Sequence, residues 1–508
     1  MIEQHASLSE KFVKKWIWLY AFSFIIGPLW YLGKIIVSWE LSVSEVGILY
    51  GIISLITLLS AYNDIGLTDS FNYFIPKYIT EKRYDKVKTI LAYAFIAQMT
   101  TGVSIALFFF FWADFIAENY FKTDAATWVL KIFALFFLWV NVFEIISTFF
   151  MVIQNTFLNK IHDFIRSISL AIFIVSVYFL DLSSITNFSY GWIVALYIGI
   201  MSALYVFWKK YYIPYLREEK IIWERKIFWE IFKYASTIFI WVQASVILSQ
   251  VDMQMIIYIL GTTDAGYYTN YLSIISIPFL IIGPIFWLLY PMFSEMHSKW
   301  KTEEIRIVKS VFQKNFLVIS LWFNILFFVF AEILAYILFG EKFLKSWEIL
   351  QYSILFLVFN FLFQMNLNIM WAIWKVKERI YIVLMVIVIN TTLNYIFLSS
   401  IWVQWAALAS GIGWFFMLVF SEYYLWKDYK TSIDWKYLLK NSLLLISLWT
   451  ILSFYIIPLF YWIGRWMSLL GFFIVSFLYF WLLWFLNMKE FKYFISQIRR
   501  PKKKKENT

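Results

Sequence analysis

Long apolar runs alternate with short polar breaks from one end of the chain to the other. A helix needs about 20 mostly apolar residues to cross the roughly 30 Å hydrocarbon core of a bilayer. On that measure the pattern predicts fourteen spans, at about 16–37, 45–71, 88–112, 126–153, 163–180, 189–209, 228–250, 265–293, 307–330, 347–373, 380–399, 404–426, 440–460 and 467–487. The strict alternation of membrane barrel strands is absent. The expected fold is all-α: a polytopic membrane protein of about fourteen transmembrane helices. The first run is too long for a cleavable signal and lacks a small-residue cleavage site, so it reads as a retained span.

One arrangement occurs twice. Leu41, Glu45, Gly47 and the pair Leu49-Tyr50 match Leu260, Asp264, Gly266 and the pair Tyr268-Thr269, at a shift of 219 residues. Pro76 closes an apolar run before a charged loop, and Pro291 closes its counterpart. Similarity at about half the chain length is the mark of a duplicated bundle with its working site between the halves. The expected division is two pseudo-symmetric six-helix lobes, 1–217 and 218–427, followed by two extra helices and a polybasic tail in 428–508.

Charge sets the orientation. Breaks on one side carry clusters such as Lys77, Lys82, Arg83, Lys86 and Lys88, or Lys209, Lys210, Arg217, Lys220, Arg225 and Lys226. Breaks on the other side hold almost none: Lys122, Lys342, Lys345 and Arg465. Basic loops stay in the cytoplasm, which puts both termini inside. Reporter fusions at Thr123, Ser183 and Thr262 should therefore read outside, and fusions at Glu81, Glu218 and Glu303 inside. A reversal among the first twelve spans would break the two-lobe reading.

Composition narrows the chemistry. The 508 residues are 62% hydrophobic and 15% charged, and cysteine is absent, so disulfides and thiolate sites are excluded. The net charge of +11 lies in membrane-flanking clusters, so no nucleic-acid partner is expected. The tail RRPKKKKENT suits an anionic inner leaflet or simply a solvated end. His5, His162 and His297 make neither a metal spacing nor a triad, and no phosphate-binding glycine loop is present. The expectation is a non-enzyme without cofactor or metal, and a monomer. The loops on the outer side are too short to build an active site alone.

Ionisable and amide side chains inside spans face a cavity or a partner by default. The candidates are Lys34, Asp64, Asp69, Lys131, Glu144, Gln250, Asp252, Asn390 and Asn394. Asp64 and Asp69 serve equally well as helix-end caps. Asn390 and Asn394, one turn apart, read first as glue between helices. Glu144 lies deep in its span. Lys34 and Asp252 occupy nearly matching positions in the two halves, which points both at one cavity. Lys309 and Lys314 read as lysines that snorkel to an interface.

Three stretches carry a resemblance. GPLWYLGKIIVSWELSVSEVGILYGIISLITLLSAYNDIGL, QVDMQMIIYILGTTDAGYY and VINTTLNYIFLSSIWVQWAALASGIG resemble the polysaccharide or O-antigen flippases of the multidrug/oligosaccharidyl-lipid/polysaccharide exporter superfamily. The resemblance covers most of the chain and is weakest beyond residue 430. It implies alternating access that moves a polyprenyl-pyrophosphate-linked oligosaccharide across the bacterial cytoplasmic membrane. A peptidoglycan-precursor flippase and a small-molecule exporter of the same superfamily remain alternatives. A membrane glycosyltransferase or polymerase is disfavoured by the short outer loops.

Where such proteins usually place glycine, this chain has Trp30, Trp39, Trp374, Trp402, Trp405 and Trp414. It holds 28 Trp and only 16 Gly, against about 36 Gly at the ordinary frequency. One explanation is that some of these codons are UGA, read as glycine in the cell. The other is an aromatic-rich sequence with Trp in interfacial belts.

Overall fold

The computed structural model describes residue 22, residues 25–64, 66–399, 402–431 and 433–451, and scattered positions between 454 and 485. The basic tail, Lys11, Lys14, Lys15 and most of the expected fourteenth span lie outside the described residues. Within the described residues every regular element is a helix. Among the described residues eight helices are long and apolar enough to cross a membrane, and nine if the bent pair Lys345–Ile354 and Leu357–Ala372 forms one span.

Helix α1 occupies 25–40. It is followed by α2 (Val43–Asp64), α3 (Leu67–Thr80), α4 (Tyr84–Phe111), α5 (Ala113–Ile116), α6 (Ala125–Val152), α7 (Thr156–Phe179), α8 (Ile185–Phe207), α9 (Arg225–Ile259) and α10 (Thr262–Ser298). The chain continues through α11 (Thr302–Val329), α12 (Ala331–Phe339), α13 (Lys345–Ile354), α14 (Leu357–Ala372), α15 (Val376–Leu398), α16 (Gln404–Tyr429) and α17 (Trp435–Ile451). Contacts divide the chain into two compact units, Met1–Thr269 and Asn270–Thr508.

Local sequence explains where helices begin. Ser42 and Glu45 form a reciprocal cap on α2: the Ser42 amide donates to Glu45 Oε2 at 2.9 Å and the Glu45 amide to Ser42 Oγ at 3.3 Å. Asn155 and Ser184 cap α7 and α8 by accepting from the amides of Leu158 and Asn187. The expected second span is broken rather than continuous. Gly66 adopts a left-handed conformation, φ 71°, between α2 and α3, and a Cβ there would lie 2.5 Å from the Ala235 carbonyl oxygen of α9. Both facts demand glycine.

The duplication is written into the backbone. Left-handed Trp300 follows left-handed Lys82 by 218 residues, Gly340 follows Lys122 by 218, and Trp374 follows Gln154 by 220. Each pair ends corresponding helices of the two repeats. Gly47 and Gly266, 219 residues apart, cross each other inside the first unit. A Cβ on Gly47 would lie 1.8 Å from the Thr262 carbonyl oxygen, and one on Gly266 would lie 2.0 Å from that of Val43. Val43 and Thr262 are themselves 219 apart, so the two contacts mirror each other.

In the first unit α6 is the central element, buried along most of its length and packed against α2, α3, α4, α7 and α8. In the second unit α14 packs against α11, α15 and α16.

Candidate functional site

Two helical stripes build a cavity within the first unit. On α2 the stripe is Tyr50, Ile53, Thr57, Ser60 and Asp64; on α6 it is Phe133, Phe136, Val140 and Glu144. Spacings of three and four residues place each set on one helix face. The cavity they enclose, with contributions from α1, α3, α8 and α9, is about 440 Å³. It has two unlike ends. Tyr50 and Phe133 both approach Trp192, with ring centroids 6.2 and 6.3 Å from it. Asp64 and Asp69, one turn of chain apart across the α2–α3 break, join Glu144 at the other end.

The acidic end is set in a polar shell. Asp64 Oδ1 accepts from the Thr68 amide at 3.0 Å, which caps α3, and also from the Gln98 side-chain amide. Gln98 is fully buried, and its Oε1 has no hydrogen-bond partner among the described residues. The same holds for both polar side-chain atoms of Gln243, which is 6% exposed. Gln243 lies one turn before Val246, which lines the cavity from α9. Asp64 thus both accepts from an amide in the first turn of α3 and lines the cavity.

Lys34 stands behind the aromatic end. Its Nζ lies 4.4 Å from the centroid of the Tyr50 ring. The same ammonium donates to the Thr269 carbonyl oxygen at 2.7 Å and to Thr269 Oγ1 at 3.1 Å. Asp252 is buried and accepts from the Tyr268 hydroxyl at 3.0 Å. The two residues singled out for their matching positions therefore engage neighbouring residues at the start of α10. Beside them runs a polar seam between α2 and α9. Ser54 Oγ donates to Gln250 Oε1 at 2.7 Å, and Gln254 Nε2 donates to Ser54 Oγ at 2.8 Å and to the Gly51 carbonyl at 3.2 Å. Gln254 also accepts from the Tyr120 hydroxyl at 2.9 Å.

Other candidates are not among the residues that line this cavity. Lys131 pairs with Asp114 at 3.3 Å and faces the Trp128 ring. Asn394 Nδ2 donates to Asn390 Oδ1 at 3.1 Å within α15, and Asn390 faces Gly413 of α16. Lys309 departs from the snorkelling expectation. It is 1% exposed and bonds both oxygens of Glu422 at 2.9 and 2.8 Å, while Gln313 and Asn366 also donate to that carboxylate. A buried charge is tolerated only when paired and hydrogen-bonded, and Glu422 supplies both conditions. Lys314 instead pairs with Asp434 at 2.9 Å, the residue that caps α17.

Two residues of this region, Gly51 and Gln98, had a signal in the sequence that the span-by-span reading missed. Gly47 and Gly51 form a G-x-x-x-G step, the spacing that lets membrane helices approach closely. Gln98 is an amide inside an apolar run, as conspicuous as Gln250.

Comparison with known proteins agrees with this architecture. A family profile described as "Polysaccharide biosynthesis protein" matches residues 12–297. An uncharacterized membrane protein of Methanocaldococcus jannaschii is 25% identical over 439 residues, covering 82% of this chain and 85% of that one. Among solved structures, the lipid II flippase MurJ in an inward closed conformation superposes with a TM-score of 0.68 at 14% identity, covering 93% of this chain and 99% of that one. An inward-facing multidrug resistance MATE family transporter of the MOP superfamily gives 0.68 at 13% identity, covering 82% of this chain and all of that one. These likenesses establish the fold. The profile spans more than half of the sequence and includes every helix that lines the cavity, so the chain belongs to the polysaccharide biosynthesis protein family.

Proposed function

We propose that the protein is a flippase that moves a polyprenyl-pyrophosphate-linked oligosaccharide across the cytoplasmic membrane by alternating access. The observation that carries this reading is the cavity itself: a chamber with polar and aromatic ends, enclosed by membrane helices that the polysaccharide family profile covers. Polar groups at such depth are expensive unless they serve a passenger or a partner. Lys34 supplies the cationic contact for the pyrophosphate. It reaches Tyr50, which lines the chamber, and its hydrogen bonds to Thr269 hold it there when no substrate is present.

The test is reconstitution into proteoliposomes with a fluorescent lipid-linked oligosaccharide, read by accessibility to a membrane-impermeant sugar oxidant. Wild type is expected to expose the glycan. Lys34→Ala is expected to lose exposure by at least about tenfold, the loss of one charge-assisted contact of about 1.5–3 kcal/mol, with Lys34→Arg retaining part. Normal transport by folded Lys34→Ala would remove the substrate contact. Movement of lipid II but not of lipid-linked oligosaccharide would replace the reading with that of a peptidoglycan-precursor flippase.

A further inference from the structure

We propose that the cavity of the first unit is a sugar-binding chamber that accepts neutral or amino-bearing glycans and rejects glycans carrying carboxylates. This rests on the flippase reading and narrows its substrate class. Asp64, Asp69 and Glu144 contribute three carboxyl groups, and among the described residues no Lys, Arg or His lines the cavity, Lys34 standing behind Tyr50 at the aromatic end. Pyranose rings present two kinds of surface: hydroxyl edges that donate hydrogen bonds, and C–H faces that pack on flat aromatic rings. Carboxylates accept from adjacent hydroxyls in charge-assisted bonds. Tyr50, Phe133 and Phe136 provide ring faces and edges at the opposite end. The cavity's volume of about 440 Å³ falls within the range of small-ligand sites, about 300–1,000 Å³.

A second observation points to a passenger independently of the acids. Gln243 is 6% exposed, and both of its polar side-chain atoms lack a partner among the described residues. It lies one turn before the cavity-lining Val246 on α9 and is not itself in the lining. A buried amide left with neither donor nor acceptor satisfied is costly. An occupant that reaches past Val246 and can both give and accept hydrogen bonds, as a sugar hydroxyl or acetamido group does, would satisfy it.

Selectivity follows from sign. A uronate placed among three carboxyl groups meets like charge from those that are ionised, in a poorly screened space. A neutral sugar meets only acceptors, and an ammonium-bearing sugar meets opposite charge. The pyrophosphate stays out of the acidic end for the same reason. Trp30 also lines the chamber.

The experiment uses the full-length protein in proteoliposomes with two otherwise identical lipid-linked disaccharides, one of N-acetylglucosamine units and one ending in glucuronate. Wild type is expected to move the neutral glycan at least about tenfold faster, a difference of about 1.4 kcal/mol. The Asp64→Asn/Asp69→Asn/Glu144→Gln variant is expected to bring the two rates to within about threefold of each other, or about 0.65 kcal/mol. Because the triple variant carries a risk of misfolding, Glu144→Gln alone is measured beside it, and saturation-transfer NMR with the free disaccharides reads binding without transport. Equal wild-type rates for the two glycans, or an unchanged ratio in folded variants, would overturn the proposal. Failure to move either glycan while lipid II moves would instead overturn the flippase reading beneath it.

Discussion

Alanine at Gly47 is expected to abolish transport and to lower the yield of folded protein. The Cβ it adds would lie 1.8 Å from the Thr262 carbonyl oxygen and 2.8 Å from the Gly266 amide nitrogen. Both are backbone atoms, so no side-chain rotation relieves the overlap, and α2 must move away from the start of α10. That movement also disturbs the 2.7 Å contact between Ser44 Oγ and Thr262 Oγ1 and, one turn further, the packing of Gly51 on Ile257. Overpacking of ordinary cores costs about 1–3 kcal/mol; a clash with rigid backbone belongs at or above the top of that range. Gly266→Ala meets the Val43 carbonyl oxygen at 2.0 Å and is expected to behave alike. Gly283→Ala is the control, because a Cβ there meets nothing within 4 Å. Membrane yield, thermal unfolding and flipping measured on the three variants check this. Wild-type behaviour of Gly47→Ala would mean that the crossing is not held as tightly as the glycines indicate.

The same crossing shows what the sequence makes legible. Gly47 and Gly266 stand out as members of a repeat at a constant shift, and apolar run lengths place the helices because bilayer thickness imposes them. The Ser42–Glu45 cap is also visible, since its partners are three residues apart. Long-range pairings leave no such trace. Lys309 and Glu422 are separated by 113 residues, and each alone resembles an ordinary charge near a helix end. Lys131 looks like a cavity lysine until Asp114, 17 residues earlier and beyond a helix break, is found beside it. The cavity lies between these cases. Its two stripes follow helical spacing and are readable one helix at a time. Nothing in either helix alone says that α2 and α6 face each other with aromatic and acidic ends aligned.

The glycine deficit has a structural counterpart at Trp300 and Trp374. Both are left-handed, at φ 56° and 64°. Both occupy the turn that ends a helix, where the next amide reaches back five residues: Lys301 to the Met296 carbonyl at 3.0 Å and Lys375 to that of Met370 at 2.9 Å. Glycine is the usual residue there because it lacks the Cβ that the left-handed conformation crowds, a penalty of about 1–2 kcal/mol for other residues. Lys82 and Gln154 show that this fold tolerates polar, unbranched residues at the corresponding turns. A bulky indole is a greater departure. Neither indole gains the burial that would offset it, since Trp300 is 84% and Trp374 is 78% exposed. Trp374 also stands where the resembled flippases place glycine. Trp30 and Trp405 show no left-handed backbone, so among these tryptophans the strain falls on Trp300 and Trp374. The hypothesis is that the gene carries UGA at positions 300 and 374, and that the cell inserts glycine. Peptides from the organism that encodes the chain should then carry glycine at both sites. The double variant Trp300→Gly/Trp374→Gly should unfold at a higher temperature than the chain with tryptophan, by the equivalent of about 1 kcal/mol per site. UGG codons at both positions, with tryptophan in the native peptides, would leave two strained, solvent-facing indoles for an interfacial belt to explain.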